Sequence, residues 1–169
     1  MFISLQFKLE LKKEDREKLI ELMRRQSSAI RTAYNMLKEL EKDKTRNPHA
    51  QIYQRLRQLF PELPTRYIDS AIYKAKQYPT DKPVVFGGKR LFEKLCKNHL
   101  TGKLRERLKK QWKEQRQGTL VSIGSKSDKG NRLTKFENIN GQLHLRITIG
   151  NREFIYAKVL REPSNSKDK

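Results

Sequence analysis

Residues 3–11 alternate apolar and polar side chains, with Ile3, Leu5, Phe7, Leu9 and Leu11 set against Ser4, Gln6, Lys8 and Glu10. A period of two puts each set on one face of a β-strand, and a lone strand is not stable in water. Its partners must come from elsewhere in the chain. The next alternating segments lie far downstream, at Val121 and Ile123 and then at Leu143, Leu145, Ile147 and Ile149. The first strand is therefore expected to pair with C-terminal strands, and whatever lies between has to leave the sheet and return to it.

The intervening residues carry a helical period. Leu19, Leu22, Met23, Ile30, Ala33, Tyr34, Leu37 and Leu40 recur at helical spacings and predict a long amphipathic helix over 14–41. After a polar run, Asn47-Pro48 opens a second helix with Ile52, Tyr53, Leu56 and Leu59, which Pro61 stops. Pro64 starts a third with Tyr67, Ile68, Ala71, Ile72 and Ala75 inward, closed before Pro79. Residues 80–88 read as an extended loop and 89–97 as a short helix. A further helix over 103–117 carries Leu104, Leu108 and Trp112 on one stripe, which predicts that Trp112 packs in the core.

Gly118 returns the chain to strand, interrupted by a polar loop over 124–130. Asn140-Gly141 and Gly150-Asn151 signal hairpin turns. A two-residue turn at Gly150-Asn151 sets Ile147 opposite Phe154 and Leu145 opposite Tyr156, which would make one apolar face continuous. The expected fold class is α+β: a small antiparallel β-barrel of residues 1–12 and 118–161, with a helical bundle, 13–117, inserted after the first strand. The Ser-, Asn-, Lys- and Asp-rich residues 162–169 are expected to be a disordered tail.

Charge decides the class of partner. Lys and Arg number 39 against 19 acids, a formal charge of +20, while only 35% of residues are hydrophobic. Such a charge repels itself, and binding a polyanion relieves it by releasing condensed counterions. RNA or DNA is the expected partner. A membrane surface fits less well, because the cations are spread over several segments and not along one amphipathic stripe. The single cysteine, Cys96, forms no internal disulfide, and neither a leader pattern nor a membrane-length apolar run is present, so a cytoplasmic protein is expected.

Catalytic signals are weak. His49, His99 and His144 fall in unrelated elements, and Cys96 lacks a local signature of a reactive thiol. Gly87-Gly88-Lys89-Arg90 lacks the upstream glycine and the Lys-Ser/Thr ending of a phosphate loop. A metal-dependent nuclease needs converging carboxylates, whereas Glu14, Asp15, Glu17, Glu21, Glu39 and Glu41 sit among cations on a helix, where ion pairs explain them. No catalytic residue and no cofactor is expected in this chain. The basic positions say more: Lys103, Arg105, Arg107, Lys109, Lys110, Lys113 and Arg116 face only Glu106 and Glu114 within one helix. Lys126, Lys129, Arg132 and Lys135 follow, with Gly124 and Gly130 among them to let backbone approach phosphate.

One resemblance narrows the expectation. The run from Lys82-Pro83-Val84-Val85-Phe86-Gly87-Gly88-Lys89-Arg90-Leu91-Phe92, then Trp112-Lys113-Glu114-Gln115-Arg116, then Gly124 and Lys129-Gly130-Asn131, resembles the N-terminal part of TnpB-like proteins, the insertion-sequence relatives of type V CRISPR effectors. Arg31-Thr32-Ala33-Tyr34-Asn35 is similar to that family's opening helix. The resemblance implies a wedge-type barrel with an inserted recognition lobe, a structured guide RNA, and target double-stranded DNA examined beside a short adjacent motif. Carried over by position, Lys89, Arg90, Arg116, Lys129, Asn131 and Arg132 would hold RNA backbone. Arg66, Tyr67, Asp69, Ser70 and Lys74 would face the motif duplex. The family's RuvC-type nuclease segment has no counterpart in these residues, so cleavage and its magnesium would belong to a RuvC-bearing partner polypeptide. A general structured-RNA-binding protein, such as a ribosome or RNA-processing factor, is the alternative; a cryptic nuclease and a nuclease-free regulator of DNA stay open beside it.

Overall fold

The computed structural model describes residues 4–44, 46–82, 84, 86, 89–97, 101–160 and 164–165, with the side chains of Lys89, Glu114, Gln115, Ser164 and Asn165 left out of the description. Ile3, Gly87, Gly88, His99 and the Lys89 side chain, all singled out in the sequence, therefore lie outside the described residues, as does most of 162–169. The chain divides into two compact units, residues 1–19 with 122–169 and residues 20–121.

The first unit is built on strands β1 (Leu5–Gln6), β2 (Leu9–Glu10), β3 (Thr134–Ile139), β4 (Gln142–Gly150), β5 (Glu153–Val159) and β6 (Ser164–Asn165). β2, β5, β4 and β3 form an antiparallel four-stranded sheet in that order, and β1 pairs with β6 separately. Leu9 lies opposite Val159 and Leu5 opposite Asn165, so the N-terminal segment does find its partners at the far end of the chain. That pairing also gives strand structure to two residues expected in the disordered tail, because β1 supplies them with backbone partners. The sheet is open, with β2 and β3 at its edges, which corrects the expectation of a closed barrel. Closure needs every edge paired, and β2 offers only two residues for pairing.

Hairpin register is a further correction. At the β3–β4 turn, Asn140 and Gly141 both have positive φ, 50° and 79°, as a tight two-residue turn requires. The β4–β5 turn sits one residue later than expected, with Gly150 opposite Glu153 and a bulge between Thr148 and Gly150. Ile147 therefore pairs with Ile155 and Leu145 with Ala157, not with Phe154 and Tyr156. One residue of slip exchanges the faces of a strand. Ile155, Ala157 and Val159 are buried with Ile147 and Leu133, while Phe154 and Tyr156 are each 41% exposed.

The second unit is helical: the body of α1 (Lys13–Lys42), then α2 (Pro48–Leu59), α3 (Thr65–Lys76), α4 (Lys89–Leu95) and α5 (Gly102–Gln117). Glu14 and Asp15 in the first turn of α1 and Lys42 in its last complement the helix dipole. Leu22, Gln26, Ala29, Ile30, Ala33, Tyr34 and Leu37 form its buried stripe, and Tyr67, Ile68, Ala71, Ile72 and Ala75 form that of α3. Ile52 and Leu56 complete the core from α2, whereas Leu59 at its end is 46% exposed. Tyr34, Tyr78 and Phe86 meet edge to face at centroid distances of 5.2–6.1 Å.

Residues 118–124 form no strand, although Val121 and Ile123 alternate. The backbone of Val121 is instead held by a side chain. The Gln26 amide donates to the Val121 carbonyl at 2.6 Å and accepts from the Val121 N–H at 2.7 Å. It also donates to the Tyr67 carbonyl at 3.2 Å. A buried amide with all these partners takes the place of a neighbouring strand. Gly118, with φ 68°, passes against Ser27, where a Cβ would come within 2.5 Å of the Ser27 hydroxyl oxygen. That hydroxyl donates to the Gln117 carbonyl and fixes the end of α5 to α1.

Candidate nucleic-acid interface

No described residue of α5 is buried. Lys103, Arg105, Arg107, Lys109, Lys110, Lys113 and Arg116 are all exposed, and helical spacing spreads them over the arc outside Leu104, Leu108 and Trp112. The apolar stripe is shallow: Leu104 is 52% exposed, and Trp112 is only half-buried. This corrects the core role expected for Trp112. Its indole lies against Phe92 of α4, centroids 5.6 Å apart, and under the Arg116 guanidinium at 4.9 Å. Arg105 donates to the Leu95 carbonyl at 3.1 Å, tying α5 to the end of α4. Arg90 is exposed on α4.

Between α1 and the C-terminal half of α5 lies a cavity of about 280 Å³ lined by Arg24, Ser28, Arg31, Trp112, Lys113, Arg116 and Gln117. Arg31 donates to the Ser28 hydroxyl at 2.9 Å and to the Arg116 carbonyl at 3.4 Å. Burial, and then the Arg116 guanidinium, press the Arg31 pKa below its ordinary value.

In the first unit, Lys126, Lys129 and Arg132 are exposed on one loop. Ser125 and Gly130 exchange backbone hydrogen bonds across it at 3.0 and 3.2 Å. Arg132 pairs with Asp128 at 2.9 Å. Asn131, expected to hold RNA, is engaged within the loop. Its Oδ1 accepts from the Ser122 hydroxyl and from the Leu133 and Thr134 N–H groups at 2.9–3.3 Å, and its Nδ2 donates to the Ser122 carbonyl. Asn131 therefore shapes the loop. Gly124 likewise serves the loop's own closure, because a Cβ there would lie 2.8 Å from the Gly130 carbonyl oxygen.

The five residues expected to face a DNA motif divide. Tyr67 and Ser70 are buried in the helical core, since the inward stripe of α3 includes their positions. Burial also pushes the Tyr67 phenol up from its ordinary pKa. Asp69 lies 3.5 Å from the His49 imidazole, and Lys74 lies over the Tyr78 ring at 5.7 Å. Arg66 is exposed.

Sequence reading missed one surface. The register puts Lys135, Arg146, Phe154, Tyr156 and Lys158 on the same face of the sheet. Arg146 lies over the Phe154 ring at 4.7 Å and pairs with Glu137 at 3.1 Å. The available signal was Phe154-Ile155-Tyr156-Ala157, apolar on both faces of one strand. Exposed aromatics between cations are the pattern on which unpaired bases stack.

Several carboxylates are engaged individually. Glu21 pairs with Arg24 and Arg25, Glu62 with Arg25, and Glu153 with Lys18. Among the described residues no group of three His, Cys, Asp or Glu side chains could hold a metal ion, and no helix is long and apolar enough to cross a membrane. No curated protein and no solved structure matches the chain. A family described as the SSO2105 N-terminal domain matches over residues 2–165.

Proposed function

We propose that this chain, which belongs to the SSO2105 N-terminal domain family, is an RNA-binding module that holds the phosphate backbone along α5. The observation that carries this reading is the exposure of all seven α5 cations on a helix with no buried described residue. Core packing does not explain such a helix, and a polyanion neutralises it. The Lys126–Arg132 loop and the Phe154–Tyr156 sheet face add backbone and base contacts of the same kind.

Within that reading, the resemblance to TnpB-like proteins supports a structured guide RNA as ligand and target DNA with a short adjacent motif as the molecule examined. Arg66, exposed on α3, is suited to phosphate contact there. The chain binds in the cytoplasm and does not cut. In this reading, as the resemblance implies, cleavage and its magnesium belong to a RuvC-bearing partner, and the ion pairs of Glu21, Glu62 and Glu153 with Arg and Lys side chains are in keeping with it. Sequencing the RNA that co-purifies with the full chain tests this. One structured species supports a guide, a heterogeneous pool supports the general RNA-binding alternative, and recovery of no RNA contradicts both.

A further inference from the structure

We propose that the cavity between α1 and α5 is a binding site for a single phosphate group of a nucleic-acid strand, gripped by Arg31, Lys113 and Arg116. This rests on the RNA-binding reading and gives it a specific anchoring point.

Four cations, Arg24, Arg31, Lys113 and Arg116, line the cavity, and no described carboxylate does. Arg24 has Glu21 at 3.9 Å, so the remaining three supply the positive field. Arg31 is the informative member. It is half-buried, it donates to the Ser28 hydroxyl and the Arg116 carbonyl, and it shares the cavity lining with the Arg116 side chain. Partial burial of a cation beside a like charge is unfavourable without an anion. A phosphate restores the balance, because guanidinium groups donate paired hydrogen bonds to its oxygens. The position is also fixed: the Ser27 hydroxyl and the Gln26 amide hold the C-terminal end of α5 and the residues after it against α1. The cavity walls thus precede the ligand.

Trp112 is the only tryptophan of the chain and lines this cavity, so its emission reports on occupancy. Inorganic phosphate and a uridine tetranucleotide are titrated separately into the full chain, and into Arg31→Gln and Arg31→Lys variants, with melting temperature followed in parallel. The expected result is a saturable change of emission with the tetranucleotide, weakened about tenfold or more in both variants. Arg31→Gln should melt no lower than wild type when no anion is present, since it removes a charge whose burial is unfavourable. A response to inorganic phosphate equal to that of the tetranucleotide would assign the site to free phosphate and overturn the strand proposal. An unchanged response in Arg31→Gln, or a lower melting temperature of that variant without anion, would also overturn it. The Lys109→Glu/Lys110→Glu variant, whose positions do not line the cavity, separates the two readings. If it loses structured-RNA binding while Arg31→Gln does not, the subsite fails and the RNA-binding reading stands.

Discussion

Gln26 holds Val121 by both of its backbone groups, donating to the carbonyl at 2.6 Å and accepting from the N–H at 2.7 Å. A helix side chain thereby supplies what a sheet neighbour would, and the segment following α5 is fixed to α1 without becoming a strand. Gln26→Leu keeps the volume but leaves both Val121 groups without these partners, and should destabilise the protein by about 2–5 kcal/mol. Urea unfolding measures this, and a shift of the midpoint too small for one lost hydrogen bond would remove the lock from the account.

Gly118 is the adjacent constraint. Its φ of 68° and its contact with Ser27 leave no room for a Cβ. Gly118→Ala should cost roughly 1–3 kcal/mol. Gly102, also at positive φ but with nothing within 4 Å, serves as the comparison. Thermal melts should show Gly118→Ala as the more damaging of the two.

The sheet register makes neighbouring residues behave oppositely. Ile155 is buried and Tyr156 exposed, so Ile155→Ala should cost about 2–5 kcal/mol. Tyr156→Ala should change stability by less than about 1 kcal/mol and weaken binding to single-stranded RNA by about 1–3 kcal/mol. The reverse ranking in denaturation would restore the register with Phe154 and Tyr156 inward.

Much of the fold was readable in the sequence because burial imposes period. The stripe of α3, from Tyr67 to Ala75, and the distant partners of the first strand both follow from that rule. Three features did not follow. A buried glutamine at helical spacing between Leu22 and Ile30 is visible as Gln26, but its partner lies far along the chain. A bulge at the end of β4 moved the register by one residue, and local turn chemistry does not reveal it. Trp112 sits in an apolar stripe too short to enter a core, so only the tertiary structure shows it half-open beside Arg116. For the candidate site, the basic helix was readable from composition, whereas the Arg31 cavity required α1 and α5 to be placed together.

Tyr67 gives a pH dependence. Burial raises its phenol pKa above the ordinary 10.0, so the folded state favours the neutral form. The unfolded chain releases this proton first, and the associated stability is complete below pH 10 and is lost as pH rises above it. Tyr67→Phe should remove that alkaline step from a plot of unfolding midpoint against pH, while a step of unchanged size would assign it to other groups.

The salt dependence of RNA binding tests the central claim most directly. Log affinity for a structured RNA is measured against log salt concentration for wild type and for Lys109→Glu/Lys110→Glu, with circular dichroism confirming that both are folded. Each lost phosphate contact lowers the slope by about one unit, so the variant should bind more weakly with a slope smaller by about two. An unchanged slope and affinity would mean that the cationic face of α5 does not meet RNA, and would contradict the account.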